Sequence, residues 1–178
     1  MGILPTSHGV SEVNIMNNKN DVASAVGELQ NAYVEALDNK DMHGWLATFD
    51  ERDDAAYILT TLDNEQQGLP LGLMLDDCHD RLEDRVTFIT EIWAGTFQDY
   101  RTRHVVHPIS CHVKSDNTYV MRSNFSVFYT PTDTGQSNVL ACGVYLDTVT
   151  ISNEGARFVL KKAVTDTSVL PHYLVYPL

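Results

Sequence analysis

Acids, arginines and histidines crowd one stretch of this 178-residue chain, between Leu69 and Pro108. Asp76, Asp77, Asp80, Glu83 and Asp84 are threaded with Arg81 and Arg85, and Arg101, Arg103 and His104 follow. Carboxylates and guanidiniums at this density make bidentate ion pairs. They do so within one chain, tying helix to sheet, or across a subunit contact, where arginine is enriched. Asp77 and Arg81, acid first and four apart, suit pairing along one helical face. His104, His107 and His112, with a neighbouring acid, supply the residue types of a two-histidine, one-carboxylate metal site. Their spacing argues against one, because His104 and His107 differ by an odd number on a predicted strand and so point to opposite faces. Three dispersed cysteines, Cys78, Cys111 and Cys142, read as reduced thiols rather than a disulfide framework. No Gly-rich phosphate loop, Gly-x-Ser-x-Gly elbow or Cys-His nucleophile pair at a familiar spacing is present.

These residues need elements to hold them. Leu75, Leu82, Val86, Ile89 and Trp93 fall at helical spacing, which predicts an amphipathic helix with Asp76 or Asp77 as its N-cap. Upstream, Val22, Ala25, Val26, Leu29, Ala32, Tyr33, Ala36 and Leu37 keep a helical stripe from Asp21, and Asn39 can end it. Asp41 caps a short second helix whose apolar face is Met42, Trp45, Leu46 and Phe49. A strand is predicted from Ala55 to Leu62, closing on a polar turn at Asp63-Asn64, with Gln66–Pro70 as a loop or edge segment. After the charged helix the chain turns to strands: Arg103–Lys114, Tyr119–Tyr129, Val139–Ser152 and Ala156–Thr165. In the second of these, Tyr119, Met121, Ser123, Phe125, Val127 and Tyr129 share one face, with Arg122 and Asn124 on the other. In the third, Leu140, Cys142, Val144 and Leu146 face one way and Tyr145 and Asp147 the other. Such alternation implies an antiparallel sheet with one side covered. Helices first and a long meander later make an α+β domain, helices packed on one face of a strongly curved sheet.

The composition narrows the possible partners. Lys plus Arg number 12 against 24 Asp plus Glu, a formal charge of −12, which excludes a phosphate backbone or an anionic membrane surface as the natural ligand. No apolar run reaches the roughly 18 residues of a membrane span, and no basic-then-apolar leader opens the chain. Residues 1–20 read as an irregular arm and 21–178 as a single domain. The ending, Val169 to Leu178 with Tyr173 and Tyr176 in it, is too apolar to lie in water. It either finishes the fold or enters a protein contact.

DDCHDRLEDRV, followed by RTRHVV, resembles the signature of the small (β) subunit of aromatic-ring-hydroxylating dioxygenases. Leu82-Glu83-Asp84-Arg85-Val86 and Arg101-Thr102-Arg103-His104 carry it. Tyr33, Leu37, Asp41, Trp45, Leu46 and Phe49 are similar to the family's first helix pair, and KKAVTDTSVLPHYLVYPL to its closing strand and tail. Cys78-His79, where many members carry an arginine, and Phe97–Tyr100, in place of Asp-Pro-Pro, depart from the usual pattern. Gln67–Leu71 and Tyr173–Pro177 look like the branch acting on aromatic carboxylates such as terephthalate, salicylate or anthranilate.

The resemblance implies the cone-shaped fold of nuclear transport factor 2 and ketosteroid isomerase, with a mixed, largely antiparallel sheet. It also implies a bacterial, cytoplasmic hetero-oligomer of three α and three β chains, the β chains forming a trimer. The Rieske [2Fe–2S] cluster and mononuclear iron would sit in the α partner, and NADH electrons would arrive through a reductase. None of these groups is expected here, since the cluster's Cys-x-His and Cys-x-x-His spacings are absent and Cys78-His79 and Cys111-His112 are adjacent pairs. On this reading Asp76, Asp77, Arg81, Glu83, Asp84, Arg85, Arg101, Arg103, His104, Tyr173 and Tyr176 are interface or ion-network residues and none is catalytic. The same fold also hosts enzymes, so a stand-alone isomerase or dehydratase is the competing reading, with Tyr33, His43, Asp50, Tyr57, His104 and Asp147 lining an acid–base pocket. A homodimeric binding module without chemistry is a third.

Overall fold

A computed structural model describes residues 19–178. The arm expected over residues 1–20 lies outside the described residues up to position 18, and its last two positions already belong to the first helix. The chain runs through α1 (Lys19–Asp38), α2 (Met42–Leu46), β1 (Ala56–Thr61), α3 (Leu62–Gln66), β2 (Met74–Asp76) and α4 (His79–Thr87). A π-helical turn, Phe88–Ile92, leads on to β3 (Tyr100–Ser115), β4 (Thr118–Pro131), β5 (Asn138–Ser152) and β6 (Gly155–Thr165).

Helix α1 buries Val26, Leu29, Tyr33, Ala36 and Leu37, the stripe its spacing predicts. It ends at Asp38 with Asn39 next, as expected. Lys40 takes the left-handed conformation (φ 62°), and Asp41 N–H returns to the Ala36 carbonyl. A lysine holds this glycine-like position because its ammonium is anchored. Lys40 Nζ donates to Thr102 Oγ1 (2.9 Å) and lies 4.2 Å from the Tyr176 ring centre. Asp41 caps α2 as expected, its Oδ1 accepting from Gly44 N–H at 2.8 Å.

Two expectations along the next segment are corrected. The polar turn at Asp63-Asn64 is the short helix α3, started by Thr61, whose Oγ1 accepts from Asn64 N–H. Leu75 and Asp76 are not the head of the charged helix. They lie in β2, which pairs antiparallel with β1 (Tyr57 opposite Asp76), and Leu75 points to solvent. Strand pairing with β1 overrides the helical spacing. The helix begins at His79 with Cys78 at the cap position, which makes no side-chain cap bond, and Leu82, Val86 and Ile89 are buried as the stripe requires.

One six-stranded sheet, in the order β2-β1-β6-β5-β4-β3, is antiparallel except where β1 runs beside β6. Register shifts within the β3–β4, β4–β5 and β5–β6 pairs add local bends that curve it around the helices. In β4 the inner face is the predicted one, Met121, Ser123, Phe125, Val127 and Tyr129. In β5 the covered side carries Tyr145, Asp147 and Val149, while Cys142, Val144 and Leu146 turn outward. Gly143 sits where β5 passes closest to β6: a Cβ there would run into the Val164 carbonyl oxygen.

Candidate functional site

The hollow between α1, α2 and the inner sheet face is where this architecture would place a reaction, and it is full. Tyr33, Trp45, Phe49, Tyr57, Phe125, Tyr145 and Phe158 line it with rings. Phe125 stacks on Tyr145 (centroids 4.3 Å), and Tyr33 meets Phe158 edge-on (5.5 Å). The C-terminal tail enters from the open end and buries Val175 and Leu178. Its backbone is gripped there. Tyr33 donates its hydroxyl proton to the Leu178 carbonyl (2.7 Å), and Tyr57 accepts from Leu178 N–H (2.8 Å). Tyr100 accepts from Val175 N–H at 3.3 Å. Tyr173 hydrogen-bonds Gln98 through its hydroxyl, and Tyr176 packs edge-on to Tyr100 and Phe97, closing the mouth.

Beneath the tail lies a charged centre. Lys161 on β6 donates to Asp147 on β5 (2.9 Å) and to Gln30 on α1 (3.0 Å), and both members of the ion pair are shut off from solvent. The ammonium faces three rings, Tyr145 at 3.6 Å, Phe158 at 4.6 Å and Tyr33 at 4.7 Å. Burial raises the Asp147 carboxyl above its ordinary range and lowers the Lys161 ammonium, against the attraction of each for the other. Nearby, His104 on β3 turns inward to Asp38 at the end of α1. Its Nδ1 lies 2.6 Å from Asp38 Oδ1, and its backbone N–H donates to Oδ2 (3.2 Å). Burial pushes the imidazole below its ordinary value, so it meets the carboxylate as a neutral donor. Burial alone would raise Asp38, but the hydrogen bonds from His104 bring it lower. Lys40, half-buried at the same mouth, is lowered to about 8 by desolvation.

Of the six residues assigned to an acid–base pocket, Tyr33, Tyr57, His104 and Asp147 converge here. His43 is exposed on α2, and Asp50 is tied to Thr150 Oγ1 (2.8 Å). The convergent four hold a proton-transfer repertoire, yet the Tyr33 and Tyr57 hydroxyls are taken by the tail, His104 Nδ1 by Asp38 and Asp147 Oδ2 by Lys161, so each is already engaged within the chain. Asp38, Lys161 and Gln30 are the partners that sequence reasoning missed. The parity of β5, which puts Asp147 beside Tyr145, was the available signal for the first link.

The charged stretch resolves into separate pairs. Arg85 makes a bidentate pair with the buried Asp76 (2.9 and 3.0 Å), joining α4 to β2. Arg81 meets Asp77 at 3.0 Å on the surface, and Glu83 lies 3.6 Å from His79. Asp84 and Arg101 make no ion pair among the described residues, and Arg103 donates to the Thr102 carbonyl (2.7 Å). Arg101 and Arg103 therefore stand apart from the acids, on the outer face of β3 at the far edge of the sheet.

An iron or iron–sulfur group does not fit these residues. His104 is committed inward to Asp38, His107 points outward, and Cys111 and Cys142 are exposed thiols on different strands. Among the described residues no three His, Cys, Asp or Glu side chains gather closely enough to hold a metal ion, and no described helix is long and apolar enough to cross a membrane.

Helices on a curved mixed sheet, closed over a packed interior, define the cone-shaped α+β fold of nuclear transport factor 2 and ketosteroid isomerase, here with its hollow filled. Comparison with known proteins takes this further. The family described as "Ring hydroxylating beta subunit" matches residues 32–172. The small subunit of anthranilate 1,2-dioxygenase from Burkholderia cepacia is 31% identical over 150 residues, covering 84% of this chain and 90% of that one. A β subunit of the terminal oxygenase component of terephthalate 1,2-dioxygenase from Comamonas sp is 30% identical over 147 residues, covering 83% and 92%. A solved structure from Novosphingobium aromaticivorans, assigned as the β subunit of an aromatic-ring-hydroxylating dioxygenase, shares the fold with TM-score 0.74 at 24% identity, covering 85% of this chain and 94% of that one. The chain belongs to the ring-hydroxylating β-subunit family.

Proposed function

We propose that this chain is the non-catalytic β subunit of a bacterial, cytoplasmic multicomponent oxygenase acting on the ring of an aromatic carboxylate. The observation that carries the reading is the Leu178 backbone held by Tyr33 and Tyr57 inside the hollow, where an enzyme of this fold would bind its substrate. Family membership supports the rest. A large subunit supplies the Rieske cluster, the mononuclear iron and the substrate pocket, and a reductase delivers electrons from NADH. This subunit fixes three large subunits around a threefold axis through a β trimer, giving α3β3. A stand-alone isomerase or dehydratase needs the same hollow open, and the tail occupies it. The choice of aromatic carboxylate rests on the anthranilate and terephthalate enzymes to which the relatives belong.

Co-expression with a large subunit bearing Cys-x-His and Cys-x-x-His tests this. The tagged chain should copurify with it at the mass of three plus three, and iron should appear only when the large subunit is present. Ring hydroxylation should require both chains. Elution of this chain alone, or turnover of an aromatic by this chain without the large subunit, overturns the reading.

A further inference from the structure

Charge is sorted between the two ends of the molecule. Strands β3 to β6 contain a single carboxylate, Asp147, and it is buried on the inner face. Their outer face carries Arg101, Arg103, Arg122 and Arg157, with Lys162 already paired to Glu65 (2.7 Å), in a chain whose acids outnumber its Lys and Arg two to one. Apolar side chains lie among these cations in register. Arg103 stands opposite Phe128, which stands opposite Val139, and Val105 follows Arg103 on the same face of the β3 edge. Val105, Phe128 and Val139 are 57%, 40% and 51% exposed. A cationic, apolar, unpaired sheet edge is what proteins ordinarily cover.

The opposite end supplies the complement. β2 is the other edge of the sheet, and α4, bound to it through Asp76 and Arg85, exposes Asp80, Glu83 and Asp84, with Glu91 in the π-helical turn beyond. Both arginines of this region, Arg81 and Arg85, are already committed to Asp77 and Asp76, so the patch stays anionic. Two complementary patches at opposite ends of one chain cannot meet each other within a molecule. They match between copies, and a contact between unlike patches closes into a ring when the rotation allows.

From this charge complementarity we infer that the outer face of β3–β5, centred on Arg103, Arg122 and Phe128, is the docking surface for the acidic α4 of a second copy of this chain, in a head-to-tail ring. The inference rests on the β-trimer reading above and names its two surfaces.

The test uses the full chain without a large subunit, weighed by light scattering on a sizing column. The wild type should run as a trimer at low salt and dissociate as salt rises. Arg103→Glu/Arg122→Glu and Asp80→Lys/Asp84→Lys should each weaken association by about 100-fold and run as folded monomers with unchanged circular dichroism. Mixing the two variants should give mixed dimers, because each offers the charge that the other lacks, while a closed ring of three stays disfavoured because one of its contacts would join like charges. A wild-type monomer, reversed variants that keep the trimer mass, or a mixture that stays monomeric would overturn the inference. So would loss of large-subunit binding by the arginine variant while its trimer survives, which would give this face to the large subunit. Copurification of the wild type with the large subunit reports separately on the β-subunit reading.

Discussion

Two ion pairs of nearly equal length sit in opposite surroundings. Lys161–Asp147 spans 2.9 Å in the interior of the cone, with no solvent on either side chain. Arg81–Asp77 spans 3.0 Å on the α4 surface, where both side chains are more than half exposed. Length does not separate them; the cost of leaving one partner alone does. In the interior an orphaned charge has lost its water and has only aromatic rings and an amide for company, whereas at the surface water replaces the missing partner at once. The interior pair therefore dictates how β5, β6 and α1 fit together, and the surface pair is free to take part in contacts with other chains.

The sharpest way to break this contrast is Lys161→Met. It should destabilise the fold by about 3–5 kcal/mol in urea denaturation, because Asp147 is left buried without a counter-charge. Replacing both residues, Lys161→Met with Asp147→Leu, should recover most of that loss, and a double variant as unstable as the single one would refute the account. Leu178→Ala comes next, at roughly 2–3 kcal/mol, the low part of the usual range because a tail can shift to fill space. Thermal melting reads it, and no change would mean that the tail does not plug the hollow.

A third effect depends on pH. The folded imidazole of His104 resists its proton and the unfolded one takes it at about 6.5, so stability is fully present above that value and falls as pH drops below it. Asp38, also lowered in the fold, adds a second fall in the acid range below the ordinary carboxylate value. Denaturation midpoints measured from neutral to mildly acid pH should show the first fall in the wild type and lose most of it in His104→Gln. Identical slopes would remove the Asp38–His104 pair from the argument. Arg81→Ala is the control at the bottom of the scale, within about 0.5 kcal/mol of the wild type.

Much of this was legible in the residues. The α1 stripe, the Asp41 cap, the β4 alternation and the family signature all rest on local spacing, and local spacing decides those features. The misassignments lie where distant partners decide. Asp76 reads as an N-cap by composition, yet pairing with Tyr57 draws it into a strand and Arg85 returns to it from the following helix. Lys40 ends α1 in a glycine's conformation because rings and a hydroxyl from β3 and the tail receive its ammonium. The Lys161–Asp147 pair joins neighbouring strands, but only the register between them shows that the two face each other. Arg101 and Arg103 follow the acids closely in sequence, and the sheet carries them to the opposite edge.

The parallel contact between β1 and β6 has a consequence for how the protein is made. β1 leaves the ribosome about a hundred residues before the strand it needs, and until then its only strand partner among the described residues is the three-residue β2. A two-stranded fragment of that size does not persist in water. The middle of the sheet is thus assembled after both of its flanks exist, by a contact of long sequence separation, which is the slow kind. During synthesis the apolar Ala56–Leu59 segment waits without its parallel neighbour, and that interval is the one exposed to aggregation.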